Sequence, residues 1–368
     1  MSCDPILPCT DSASPIVMVN GSSGWRWRRK IVRNGPQGSE TTEWCTSTVA
    51  RSMPNRGHLA LVAAILVMVS AACAPSEDGR DPASRSGPPA LLTGAVGFYV
   101  DPAGPAARWV AANPSNQSVD RIRRQIAERP AARRISSGSA AVRAEVHAYV
   151  ADAARLNRQP VLVLDPLTAL DCSEAGYAEW FTEVTEGIEA HRALVVLKDK
   201  ECEAESPRTT MMTVGVRNLR AAAPGAMVFL DATQLARKQD PPGVARTLAT
   251  WSVKETAGVA INVGEHTPQA VADRYGIELR QTLAVTTGRR DLYVVADSSR
   301  GGVASADGCN PSDARIGSYE VLSDNPETTQ HLWLTTPGIS DGPCGSAPAS
   351  KPGQFVPELA TGLLAGTP

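Results

Sequence analysis

The sequence predicts a parallel α/β protein built as one barrel-like domain. Short apolar, β-branched runs recur at 161–164, 194–197, 227–230, 259–263 and 292–296, the mark of strands buried on both faces. Segments with helical spacing alternate with them at 174–190, 210–222, 244–250 and 269–286. Repeated strand–helix units imply a parallel sheet, and the chain beyond residue 73 is long enough for a single such barrel.

Taken in order, residues 97–100 are the first strand candidate, ended by Asp101-Pro102. Residues 106–112 and 119–128 have helical spacing, and Pro130 closes the second segment. A longer helix over 140–156 places Val142, Val146, Val150 and Ala154 on one face. After four strand–helix units and a fifth strand comes a long irregular segment, then a last strand at 332–334. The stretch Ala-Leu-Val-Val-Leu-Lys-Asp-Lys-Glu-Cys at 193–202 passes from buried strand to four charges and a cysteine. Parallel α/β folds place their chemistry where strands end, so function should be legible at 198–201.

The 368 residues are 42% hydrophobic, ordinary for a globular chain, and the net charge of −2 points to no polyanionic partner such as nucleic acid. Aromatics are only 5%. Arg51 and Arg56 precede an apolar run, 59–69, and then Ser70-Ala71-Ala72-Cys73. A basic region, a short apolar core and small residues read as a secretory signal over 53–73. The run falls short of the ~20 residues of a membrane span. Cys73 resembles a bacterial lipobox cysteine, so the expected location is the outer face of the membrane by a lipid anchor, or secretion after cleavage near Ala72. Residues 74–93, rich in Pro, Ser and Gly, read as a flexible tether. Residues 1–52 carry Trp25, Trp27 and Trp44 without evident periodicity; they read as a start site placed too early or as a disordered tail. The domain proper is 94–368.

Of eight cysteines, Cys3, Cys9 and Cys45 fall in the leader and Cys73 in the lipobox. Cys172, Cys202, Cys309 and Cys344 remain, an even number suggesting two disulfides with three pairings open. None has the spacing of a zinc site. The five histidines show no ligand spacing; His147 and His191 read as helix-surface or structural residues. Gly338-Ile339-Ser340-Asp341-Gly342 matches a serine nucleophile elbow, but that fold needs a histidine after the serine, and the last one is His331. No phosphate loop or dinucleotide fingerprint is present, and no cofactor is expected.

Polar residues cluster at the strand ends: Asp165, Asp171, 198–201, Asp231, Asn262, Asp297, Arg300 and Asp341. With their flanks they resemble glycoside hydrolase family 6, the inverting cellulases. Gly97-Phe98-Tyr99-Val100-Asp101-Pro102 is similar to the family's first strand, and Leu170-Asp171-Cys172 to its Arg-Asp-Cys. Phe229-Leu230-Asp231-Ala232 resembles Tyr-Leu-Asp-Ala, and Ala260-Ile261-Asn262-Val263 resembles Leu-Asn-Val. Asp297-Ser298-Ser299-Arg300-Gly301, Cys309-Asn310-Pro311 and the run from Leu332-Trp333 to Ser340-Asp341-Gly342-Pro343-Cys344 complete seven matches in order.

The resemblance implies a distorted, TIM-like parallel barrel with fewer than eight regular strands, acting on β-glucan as a monomer. It implies disulfides Cys172–Cys202 and Cys309–Cys344. It implies Asp341 as general base and Asp171 as the residue tuning the acid, with Asp231, Asn262 and Trp333 at the substrate. Inverting hydrolysis needs a second carboxyl group to protonate the leaving oxygen. The family's acid is the Asp of Glu-Pro-Asp; here, without a gap, Lys200 takes its place. A lysine, with an ordinary pKa of ~10.4, is a poor proton donor and repels a developing oxocarbenium. The sugar-distorting tyrosine is Asp165, the arginine before the tuning aspartate is Leu170, and Gln234, Arg237, Thr335 and Ile339 replace further family residues. Asp199 and Glu201 are the remaining carboxyls of that loop and read as solvated charges beside lysines. Two readings follow: a β-1,4-glucanase weakened by loss of its acid, or a non-catalytic glycan-binding or envelope lipoprotein on the same scaffold.

Overall fold

The computed structural model describes three strand segments, 16–21, 24–34 and 40–47, and residues 97–166, 173–199, 205–303, 308–318 and 325–365. They fall in two compact units, Met1–Gly79 and Arg80–Pro368. In the first, β1 (Ile16–Gly21), β2 (Gly24–Asn34) and β3 (Glu40–Ser47) form an antiparallel meander with Trp27 opposite Met18 and Ser47. Residues 1–52 therefore do contain regular structure. Val17 and Val19, and Trp25 and Trp27, stand at the two-residue period of a strand, a signal too short to stand out. The signal segment, Cys73 and the tether lie outside the described residues, as do Asp171, Cys172, Lys200, Glu201 and Cys202.

The second unit opens with α1 (Pro105–Ala112) and α2 (Val119–Ile122), continued by a π turn over Arg123–Ala127. Seven strands follow: β4 (Arg133–Ile135), β5 (Val161–Leu164), β6 (Ala193–Leu197), β7 (Ala226–Asp231), β8 (Gly258–Ile261), β9 (Tyr293–Asp297) and β10 (Thr329–Leu332). All pair in parallel, each beside its neighbour in the chain. That singly wound order is the order of a barrel. The edges meet where the Ala132 N–H donates to the Trp333 carbonyl at 2.8 Å. Among the described residues this is the expected distorted barrel of fewer than eight strands.

The helices between strands are α3 (Ser139–Arg155), α4 (Glu174–Ile188), α5 (Glu205–Ala222), the short α6 (Thr233–Ala236), α7 (Pro241–Thr250) and α8 (Gln269–Thr287), with α9 (Pro357–Leu363) near the end. Local chemistry sets their starts. Ser173 Oγ accepts from the Gly176 N–H, and Asp240, before a proline, accepts from the Gly243 N–H.

Strand alternation divides the core in two. Leu162, Leu164, Val195, Leu197, Val228 and Leu230 face the helices and pack with Trp180, Phe181 and Trp251. Val163, Leu194, Val196, Phe229, Ala260 and Val295 fill the barrel interior. Each fully buried aliphatic side chain of this kind stabilises by about 1.5–3 kcal/mol.

Three elements depart from the expectation. The strand at 97–100 is reduced to one parallel bridge, Phe98 to Gln159. The last strand is Thr329–Leu332 and includes buried Gln330 and His331, polar residues that hid it. The strand β4 has no apolar signature because two of its three residues are arginines with partners of their own: Arg133 reaches Asp101 and Arg134 reaches Asp165.

Candidate active site

At the carboxyl ends of the strands the inward alternation continues past the sheet. Asp165, Lys198, Asp231, Asn262 and Asp297 each lie two residues beyond an interior side chain: Val163, Val196, Phe229, Ala260 and Val295. The rim is thus polar by register. Over it lies an open cleft of about 840 Å³ that includes Asp101, Arg134, Lys198, Arg300 and Asp341 in its walls.

Asp341 is the best-defined carboxylate of the cleft. Arg300 Nη1 donates to its Oδ1 at 2.7 Å, the Asn310 N–H donates to its Oδ2 at 3.1 Å, and its side chain is 27% exposed. Asn310 is the hub of this corner. Its side-chain oxygen accepts from the Asp341 N–H, and its amide nitrogen donates to Ser340 Oγ and to the Gly342 carbonyl. The Cys309–Cys344 disulfide is formed and ties the two loops together. A bridge spanning 35 residues stabilises by roughly 3–4 kcal/mol in the chain-entropy picture. Gly345 makes the close approach feasible: its φ is +51°, and a Cβ there would sit 2.1 Å from the Cys309 carbonyl oxygen.

His266, in the loop after β8, brings Nε2 to 3.9 Å from Asp341 Oδ2. Burial, aided by the Arg300 guanidinium, pulls its imidazole down to about 4, against the attraction of Asp341. It is therefore neutral at pH 7. A histidine lowered in the fold takes its proton first in the unfolded chain. Its contribution to stability is complete above about 6.5 and lost as pH falls towards 4. His266→Gln should lose about 2 kcal/mol less stability than wild type between pH 7 and pH 4, allowing for solvent screening. Urea unfolding at the two pH values measures this; parallel losses would refute it.

The other expected residues are placed as follows. Asp231 is buried; its Oδ1 accepts from the Thr233 N–H, and Lys198 Nζ lies 3.4 Å from Oδ2. Asn262 has φ +60°, and its amide is fully engaged: the nitrogen donates to the Asp297 and Thr267 carbonyls, and the oxygen accepts from the Thr267 N–H. Trp333 is 4% exposed and is not among the residues lining the cleft. Asp297 braces the rim by accepting from the Gly264, Ser299 and Leu334 N–H groups, and burial pushes its carboxyl up.

Asp199 corrects the expectation of a solvated loop charge. It lies two residues beyond Leu197, on the outward alternation, and is only 3% exposed. Arg208 of α5 holds it through two nitrogens, and that guanidinium lies 5.0 Å from the Trp251 ring centroid. Burial pushes the Asp199 carboxyl up, outweighing Arg208 and Lys198. The same loop therefore presents a cation, Lys198, to the cleft and hides its next carboxylate.

Sequence reasoning missed Arg134 and His266. Arg134 sits on an unrecognised strand, and His266 has no motif of its own; its position four residues after Asn262 was the available signal. His147, beside Glu189 at 3.3 Å, is a half-exposed helix residue as expected. Among the described residues no group of His, Cys, Asp or Glu is arranged to hold a metal.

A singly wound parallel barrel with a carboxylate-bearing cleft at its carboxyl-terminal rim is the layout of barrel enzymes. The chain belongs to the glycosyl hydrolases family 6, whose family model matches residues 94–366. It is 31% identical over 318 residues to endoglucanase 1 of Streptomyces halstedii, covering 81% of this chain and 98% of that protein. It is 28% identical over 288 residues to endoglucanase A of Thermobispora bispora, covering 72% of this chain and 60% of that one. Among solved structures, the endoglucanase Cel6 from Mycobacterium tuberculosis, in complex with methyl-cellobiosyl-4-deoxy-4-thio-β-D-cellobioside, superposes with a TM-score of 0.62. Identity to it is 23%, with 74% of this chain and 98% of that chain covered. A GH6 enzyme from Orpinomyces sp. Y102 gives 0.61 at 18% identity, covering 73% of this chain and 96% of that one.

Proposed function

We propose that this chain binds a β-1,4-glucan-type polysaccharide and hydrolyses it, with inversion, far more slowly than an intact member of its family. The observation that carries this is the end of β6, where Lys198 faces the cleft and Asp199 is turned away and paired with Arg208. Asp341, held by Arg300 and Asn310, is the proposed base that activates the attacking water. Asp171 keeps the tuning role given by resemblance, and Lys200 marks the lost acid. Asp231 acts at the substrate through its contact with Lys198, while Asn262 and Trp333 support the cleft wall. Losing a general acid typically costs 10²–10⁴-fold in rate.

The second reading, binding with no hydrolysis at all, is favoured by the same lysine. Reducing-sugar release from a soluble β-glucan, with binding followed by affinity electrophoresis, separates the two. Slow release that Asp341→Asn abolishes, with binding retained, is the expected result. Release equal to background in both proteins, with binding intact, would leave only the second reading. Export through residues 53–73 and anchoring at Cys73 are part of the proposal, supported by the basic flank, the apolar run and the small residues before that cysteine.

A further inference from the structure

We propose that the glycan taken by this cleft is anionic, a β-linked polysaccharide bearing carboxylates such as uronate units; the proposal rests on the cleft being a glycan site. Two independent observations support it. First, none of the described residues lining the cleft is aromatic. Ring faces are what bind the apolar faces of a neutral sugar chain, and this wall offers none. Second, the lining carries Arg108, Arg129, Arg133, Arg134, Lys198 and Arg300, against the carboxylates Asp101, Glu145 and Asp341.

The pairings show where the positive charge is uncompensated. Arg133 is bonded to Asp101, Arg134 to Asp165, Lys198 to Asp231 and Arg300 to Asp341. Glu145 accepts from Ser137 Oγ at 2.6 Å. Arg108 and Arg129 have no carboxylate partner among the described residues. Arg108 donates to the Ala103 carbonyl, and Arg129 has only its backbone N–H engaged, by the Ile126 carbonyl. Both are exposed. They come from α1 and the end of the π turn, elements that pack on one another, so one wall of the cleft presents two exposed guanidinium groups whose charge no carboxylate among the described residues balances. Guanidinium is the side chain best matched to a carboxylate, through paired N–H donors. A neutral glucan would leave both without a carboxylate to balance their charge.

The test is binding of the full chain to a cello-oligosaccharide oxidised at C6 to glucuronate, compared with the neutral oligosaccharide of equal length. Titration calorimetry at low and high salt reads it without any hydrolysis. We expect the carboxylated oligomer to bind roughly five- to tenfold more tightly at low salt, and the advantage to shrink as salt screens the charges. Arg108→Gln with Arg129→Gln should bring the two oligomers to parity, while Arg108→Lys with Arg129→Lys should keep most of the preference. Equal affinity for both oligomers, or a preference that survives the glutamine pair, would overturn the anionic assignment and leave the glycan cleft standing. Failure of both oligomers to bind would overturn both.

Discussion

Arg208→Ala should cost about 3–5 kcal/mol of folding stability at pH 7, the usual penalty for removing one partner of a buried ion pair. Arg208 is 11% and Asp199 0% exposed at the side chain, so the truncation removes the donors of a carboxylate that lies away from solvent. Asp199 is already pushed up by burial with Arg208 in place; without the guanidinium its charged form becomes harder still to hold. A carboxyl raised in the fold favours folding at low pH and loses that contribution as pH rises through its folded value. The deficit of the variant should therefore shrink between pH 7 and pH 5. Adding Asp199→Asn to Arg208→Ala should recover part of the loss. Denaturant unfolding of the single and double variants checks this, and a loss below about 1 kcal/mol, typical of exposed pairs, would show that Asp199 meets solvent.

The hidden carboxylate shows what the sequence could and could not convey. The run Val195-Val196-Leu197-Lys198-Asp199 already implies that Lys198 and Asp199 face opposite ways. What it cannot supply is the partner on α5 that makes the outward side tolerable to a charge. The strand–helix alternation from Val161–Leu164 to Tyr293–Asp297 was legible because buried parallel strands leave continuous apolar runs. Arg133–Ile135 was not, since its two arginines are neutralised by Asp101 and Asp165, far apart in sequence. The Cys309–Cys344 pair was legible only through resemblance, because spacing alone permits three pairings. The work of Asn310 beside it, four bonds to the strip around Asp341, follows from the left-handed turn that brings the two loops together. His266 acts through proximity in space to Asp341 and Arg300, which no local pattern records.

The second large effect concerns the proton donor that the proposed reading takes to be lost. Protonating the leaving oxygen matters in proportion to how poor a leaving group it is. A dinitrophenolate departs without a proton, whereas a sugar alkoxide does not. On the proposed reading, a dinitrophenyl β-cellobioside needs only the proposed base, Asp341, which Arg300 holds in the cleft. The natural glycosidic bond needs the acid as well. The comparison of kcat/KM for the activated glycoside with that for an unactivated cello-oligosaccharide, in wild type and Asp341→Asn, tests the loss of the acid most directly. The expected result is release of dinitrophenolate that depends on Asp341 and exceeds hydrolysis of the unactivated bond by roughly 10²–10⁴-fold. Comparable rates on the two substrates, both lost in Asp341→Asn, would mean that a proton donor still serves this cleft.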